Sequence, residues 1–228
     1  MKSTLRLLSC LLLTFFLTSC KKEAGPAETS AAKPAATSST PAPAAAAPAA
    51  TTTAEANGTE TTAKLAGAAW ALKQDEIKHD PNGQWAIQAT ASSTYNDAQG
   101  TSGWSANQAT GAPNVDTYGD NGSAWTSKTP DAGIEWIDLK FPKPVNASEV
   151  RVRESCGSGA AIKVEVFDEQ GGAHTVWAGN DPTTGLNYLM VKFPRTTFKT
   201  DRVKVTLATN VVPGWNEIDA VQLIGTDQ

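Results

Sequence analysis

The spacing of apolar positions changes along the chain. Leu65, Ala69, Leu72 and Ile77 recur at helical spacing and predict a short helix over Leu65 to Lys78, stopped by Asp80-Pro81-Asn82-Gly83. From Gln84 onward the period is two. Ile137, Leu139 and Phe141 alternate with Trp136, Asp138 and Lys140. Val150 and Val152 alternate with Arg151 and Arg153, and Ile162, Val164 and Val166 with Lys163, Glu165 and Phe167. Val203, Val205 and Leu207 alternate with Lys204 and Thr206, and Ile218 to Ile224 is a last apolar run. Alternation of this kind turns one face of a strand to a core and leaves the other wetter. Turn residues separate the runs: Pro142-Lys143-Pro144, Gly157-Ser158-Gly159 and Glu169-Gln170-Gly171-Gly172. The Gly171-Gly172 pair predicts a hairpin that returns as His174 to Trp177. With Gln84 to Ala91 and Asn187 to Phe193, the pattern predicts about eight strands. Short strands with no long helix between them predict an all-β, antiparallel β-sandwich.

The N-terminus follows another pattern. Lys2 and Arg6 precede an apolar run from Leu7 to Leu17, and Leu17-Thr18-Ser19-Cys20 follows. The run is too short to span a bilayer, which needs about 20 residues. The segment resembles the signal and lipobox of bacterial lipoproteins. That resemblance implies a signal peptide over residues 1–19, diacylglycerol transfer to the Cys20 thiol, cleavage before Cys20, and acylation (palmitate) of the new amino group. Several chains at about 0.8 kcal/mol per buried CH₂ anchor stably, so the expected partner is a membrane, through a lipid anchor. The expected localisation is the cell envelope. Lys21 rather than Asp after Cys20 resembles outer-membrane sorting in a two-membrane bacterium.

Composition then divides the remainder. Residues 20–64 are rich in Ala, Pro, Thr and Ser and, after Cys20, have no Trp, Phe, Tyr, Leu, Ile or Val. Such a stretch cannot bury enough apolar area to offset chain entropy, and reads as a disordered linker. A coil of about 45 residues has a root-mean-square span of roughly 40 Å. Residues 65–83 are the short helix and its lead-in, and 84–228 the sandwich. The net charge of −4 over 228 residues gives no reason to expect nucleic acid. With Cys10 in the signal and Cys20 acylated, Cys156 is alone, so core burial and not a disulfide must hold the domain.

The folded part also resembles a known superfamily. Trp85-Ala-Ile-Gln-Ala-Thr-Ala-Ser-Ser-Thr-Tyr95, Trp104-Ser-Ala-Asn-Gln-Ala-Thr-Gly111 and Asp120-Asn-Gly-Ser-Ala-Trp125 are followed by Glu135-Trp-Ile-Asp-Leu139 and Val150-Arg-Val152. Gly214-Trp-Asn-Glu-Ile-Asp-Ala-Val-Gln-Leu-Ile-Gly225 closes the set. Together they resemble galactose-binding-like domains, the group with discoidin (coagulation-factor type C) modules and family 32 carbohydrate-binding modules. The resemblance implies a jelly roll whose end loops take ligand, often sugar. It also implies a structural Ca²⁺ where the loop Asp116 to Ser123 meets the last strand. Asp116, Asp120, Asn121 and Ser123 on the loop, with Glu217 and Asp219 on the strand, are the candidate ligands; calcium takes six to eight oxygens. The closing Glu of that superfamily falls near Ala220, one residue from Asp219. The alternative is an Asx-rich turn whose side chains cap their own backbone.

Sugars stack on exposed rings and bond to planar polar groups. Trp125 matches the superfamily's core Trp, and Trp136 and Trp177 lie in strands, so these are assigned to packing. Tyr95, Trp104, Tyr118 and Trp215 fall in loops and are the stacking candidates, with Arg153 and Glu154 as polar ones. The alternative for the charged pair is a solvated strand face. His79 and His174 are far apart, and no hydrolase, zinc or phosphate-loop motif is present, so no enzyme is expected. The expected function is glycan or polysaccharide binding by a lipid-anchored sandwich. The alternative is a module that contacts an envelope protein, or is structural, without sugar.

Overall fold

A computed structural model describes residues 52–96 and 102–227. The signal segment, Cys20 and the linker up to residue 51 lie outside the described residues. Helix α1 runs Thr52–Lys78. Nine strands follow among the described residues: β1 Gly83–Trp85, β2 Gln88–Ala91, β3 Trp125–Thr126, β4 Ile134–Cys156, β5 Ala161–Phe167, β6 Ala173–Ala178, β7 Asn187–Lys192, β8 Thr200–Ala208 and β9 Glu217–Thr226.

All strand pairs are antiparallel, and β4 belongs to both sheets. Its first part, Ile134 to Lys140, lies between β2 and β8, and that sheet continues through β5 to β6. Its second part, Glu149 to Glu154, lies between β9 and β7, with β1 and β3 beyond β9. The change of sheet follows from the chain between them. Pro142 and Pro144 have no N–H to give a ladder, and the register against β8 shifts between Lys140 and Val145. A strand bent at such a corner lets one run of residues serve two packed sheets. The result is the expected antiparallel β-sandwich.

Between the sheets lie Trp125, Ile137, Leu139, Phe141, Val150, Val152, Val164, Val166, Val203, Val205, Leu207, Ile218 and Leu223, all buried. Burying such side chains stabilises by about 2 kcal/mol each. Ile162 is an exception to the expected alternation. A bulge between Ala161 and Lys163 opposite β8 places Ala161 in the core and leaves Ile162 half-buried.

Two expectations about α1 need correction. First, the helix starts at Thr52, so residues 52–64 are helical where a disordered linker was expected. Ala, Glu and Lys are strong helix formers, and Glu60 pairs with Lys64 one turn on, at 2.7 Å. Second, the predicted apolar face is not the one that docks. Leu65 and Leu72 are each 67% exposed, whereas Ile77 is buried. The helix touches the sandwich through Trp70, Gln74 and Ile77, because the outer face of β4 and β9 there is polar. Gln222 donates to the Ile77 carbonyl at 2.8 Å, and Arg153 donates to Gln74. Arg151 bonds Glu149 at 3.0 Å, Gln222 at 3.1 Å and Asp80 at 2.9 Å. The charged side of β4, expected to be wetter, is therefore covered.

Candidate functional site

Three aromatic loop residues meet at one end of the sandwich. Tyr95 follows β2, and its N–H donates to Thr126 of β3 at 3.1 Å. Trp104 holds a left-handed backbone, φ 61°, and its N–H donates to Gly122 at 2.9 Å. Trp215 leads into β9. Thr126 Oγ1 donates to the neighbouring Asn216 carbonyl at 2.9 Å, and Asn216 Nδ2 donates to Gly157 at 2.8 Å. Gly157, at φ 53°, admits no side chain: an added Cβ would stand 2.2 Å from the Trp215 carbonyl oxygen. The Tyr95 ring stands edge-on to both indoles, 5.4 Å from Trp104 at 69° and 5.2 Å from Trp215 at 83°. Tyr95, Trp104, Asp120, Thr126 and Trp215 enclose a cavity of about 90 Å³. Tyr95 stays 51% exposed, so the cavity opens to solvent at a ring.

Asp120 is the charged member. Its Oδ1 accepts from Trp104 Nε1 at 2.9 Å, which fixes the indole plane. Behind it, Glu217 is buried and accepts from the Asn121 N–H at 3.2 Å. Burial, and then the hydrogen bond to Asp120, pushes the Glu217 carboxyl up to about 8. Burial also raises the Cys156 thiol, and Glu217 and Asp120 raise it further. A nucleophilic thiol needs the opposite environment.

Of the expected ligand residues, Tyr95, Trp104 and Trp215 come together. Tyr118 sits on a neighbouring loop, half exposed, where its hydroxyl accepts from the Gly157 N–H at 3.1 Å; it does not line the cavity. Arg153 and Glu154 are corrected. Arg153 is 3% exposed, with its guanidinium 4.9 Å from the Tyr188 ring and 5.6 Å from that of Trp70. Glu154 is 2% exposed beside Gly159, and burial, then Asp181, pushes its carboxyl up to about 9. Arg153 keeps the regular register against β9 and faces outward with Arg151, where α1 meets it; the register shifts beyond it begin only at Glu154. Asp120 and Thr126 are the members that sequence reasoning missed. Asp120 stood among the metal candidates, and nothing in the pattern marked Thr126.

The six calcium candidates do not form one donor set. Asn121 Oδ1 accepts from the Ser123 N–H at 3.0 Å, an Asx turn. Glu217 holds the Asn121 N–H, while Asp219 holds the N–H groups of Asn114 at 3.2 Å and Val115 at 3.3 Å. Burial above all raises Asp219 to about 6. Among the described residues no group of three or more His, Cys, Asp or Glu is placed to hold a metal ion. In this structure Asn121, Glu217 and Asp219 spend these oxygens on bracing the loop against its own backbone and β9.

The family model described as Pappalysin-1, SD scarf domain, C-terminal, matches residues 75–228. No curated protein matches the chain. Among solved structures, one similar fold is chitosan-binding module 1 of a chitosanase/glucanase from Paenibacillus sp. IK-5. It is 18% identical, with 60% of this chain and 94% of that one covered, at a TM-score of 0.46. A second is CpGH89CBM32-5 from Clostridium perfringens, in complex with GalNAc-β-1,3-galactose: 17% identical, 63% and 96% covered, TM-score 0.46. A third is reduced XRCC1 bound to the DNA pol beta catalytic domain: 13% identical, 63% and 98% covered, TM-score 0.46. The chain belongs to the family of the Pappalysin-1, SD scarf domain, C-terminal.

Proposed function

We propose that this chain is a lipid-anchored, non-catalytic binding module of a bacterial cell envelope, and that its end loops bind glycan. The observation that carries the reading is the convergence of Tyr95, Trp104 and Trp215 around a small open cavity with Asp120 in its wall. A sugar ring lays its C–H face on an aromatic plane, and a carboxylate accepts its hydroxyl hydrogens. Sites of this kind are mostly apolar with few fixed polar groups. The lipobox-like Leu17 to Cys20 and the long Ala/Pro/Thr-rich stretch after it support the anchoring part.

A glycan array probed with the full-length chain tests the binding part. Binding to a defined set of glycans, lost in Tyr95→Ala and Trp215→Ala proteins that keep their melting temperature, is the expected result. A blank array with a co-purifying envelope protein would contradict it and favour a protein-contact module. Metabolic labelling with a palmitate analogue tests the anchor: the label appears on the wild type and disappears in Cys20→Ala.

A further inference from the structure

The wall of the aromatic cavity is uneven in charge. Its five residues include one carboxylate, Asp120, and no Lys, Arg or His. Each aromatic face carries the negative side of the ring quadrupole. Tyr95 stands at 69° and 83° to the two indoles, so the three rings face the cavity from different directions and do not stack flat on one another. Two donors in the wall are already engaged. The Trp104 indole N–H donates to Asp120, and the Thr126 hydroxyl donates to the Asn216 carbonyl. A guest with carbonyl or acetamido oxygens would find those two donors taken, with the Tyr95 hydroxyl and the Trp215 indole N–H left to meet it. A guest with N–H donors and a positive charge finds ring faces and a carboxylate oxygen. An ammonium has three donors and no acceptor. Aromatic walls around a cation, with an anion in reach, are also how proteins hold ammonium groups in general.

We infer that the group seated between Tyr95, Trp104 and Trp215 is cationic, the ammonium of an unacetylated amino sugar. This rests on the glycan-binding reading of the same site and narrows it to a charge class. The Trp104 indole N–H holds the Asp120 carboxylate beside the rings, and Glu217, buried behind it, anchors the loop backbone at Asn121.

The test compares two probes on the full-length chain by titration calorimetry at about pH 6, where a sugar amine is protonated: a glucosamine oligomer and an N-acetylglucosamine oligomer of equal length. The expected result is about tenfold tighter binding of the glucosamine oligomer. Asp120→Asn keeps an oxygen for the Trp104 indole N–H but removes the charge, and should bring the two affinities to within about twofold. Equal affinities in the wild type, or a preference for the acetylated oligomer, would overturn the cationic inference and leave glycan binding standing. Failure of both oligomers to bind would overturn the cationic inference, and the glycan array then decides the glycan-binding reading. A preference that survives Asp120→Asn would overturn the role given to the carboxylate.

Discussion

Two places in the molecule bring Trp, Tyr and a charged side chain together, and they behave in opposite ways. At the loop end, Tyr95, Trp104 and Trp215 leave a cavity of about 90 Å³ beside Asp120. On the outer face of β4, Trp70 and Tyr188 flank Arg153, which is 3% exposed and bonded to Gln74. A wider groove of about 270 Å³ passes that stack, and its arginine lies buried in it, bonded to Gln74 and 3.9 Å from Asp219, with its Nε lacking a hydrogen-bond partner. The difference lies in what covers each place. A sheet face of charged residues is closed by α1 and becomes a staple between helix and sandwich. At the loop end, no described residue closes over the Tyr95 ring, which stays 51% exposed. Residue types alone therefore do not separate a site from a staple; coverage does.

Substitutions can break this contrast. Arg153→Ala is expected to have the largest effect, about 3 kcal/mol of lost stability, because Asp219 is left buried without its cation. Glycan affinity of the protein that remains folded should be unchanged. Thermal melts and binding isotherms on the same sample check both.

Glu154 provides a second measure, through pH. Its folded-state carboxyl titrates at about 9, above the ordinary 4.5. The native state thus holds a proton that the unfolded chain releases earlier. The stability this contributes is fully present below about 4.5 and is lost as pH rises toward 9. Glu154→Gln should flatten that fall, gaining on the wild type by on the order of 1 kcal/mol between neutral and mildly alkaline melts. A wild type and variant with parallel pH profiles would contradict it.

Smaller effects follow on each side. Tyr95→Ala should weaken glycan binding about tenfold while changing stability by no more than about 0.5 kcal/mol, since the ring is half exposed. On α1, Trp70→Ala should cost about 1 kcal/mol for its contact with Arg153, whereas Leu72→Glu, on the uncovered side, should shift melting hardly at all.

The strands that build the core were legible because their two faces differ. Ile137, Leu139 and Phe141, like Val203, Val205 and Leu207, point inward as their alternation says. The outer face of β4 and β9 was not legible. Alternation tells which residues share a face, not what lies over it, and Arg151, Arg153, Asp219 and Gln222 are polar enough to suggest water. The α1 stripe that covers them mixes Trp70 and Gln74 with Ile77, so no apolar period marks it. At the site, loop placement was enough to find Tyr95, Trp104 and Trp215. It was not enough for Arg153, whose outer face is covered by α1, nor for Glu154, where register shifts in β4 decide which way the side chain turns. The acidic loop was visible as acidic, but only folding shows that Asp120 faces the rings while Asp219 grips Asn114 and Val115.

Indole N–H resonances test the site most directly. In a titration of the full-length chain with the tightest glycan from the array, the Nε1–H signals of Trp104 and Trp215 should shift together, and those of Trp70 and Trp125 should stay in place. Shifts centred on Trp70, or movement of neither Trp104 nor Trp215 at saturating glycan, would contradict the placement of the binding site at the loop end.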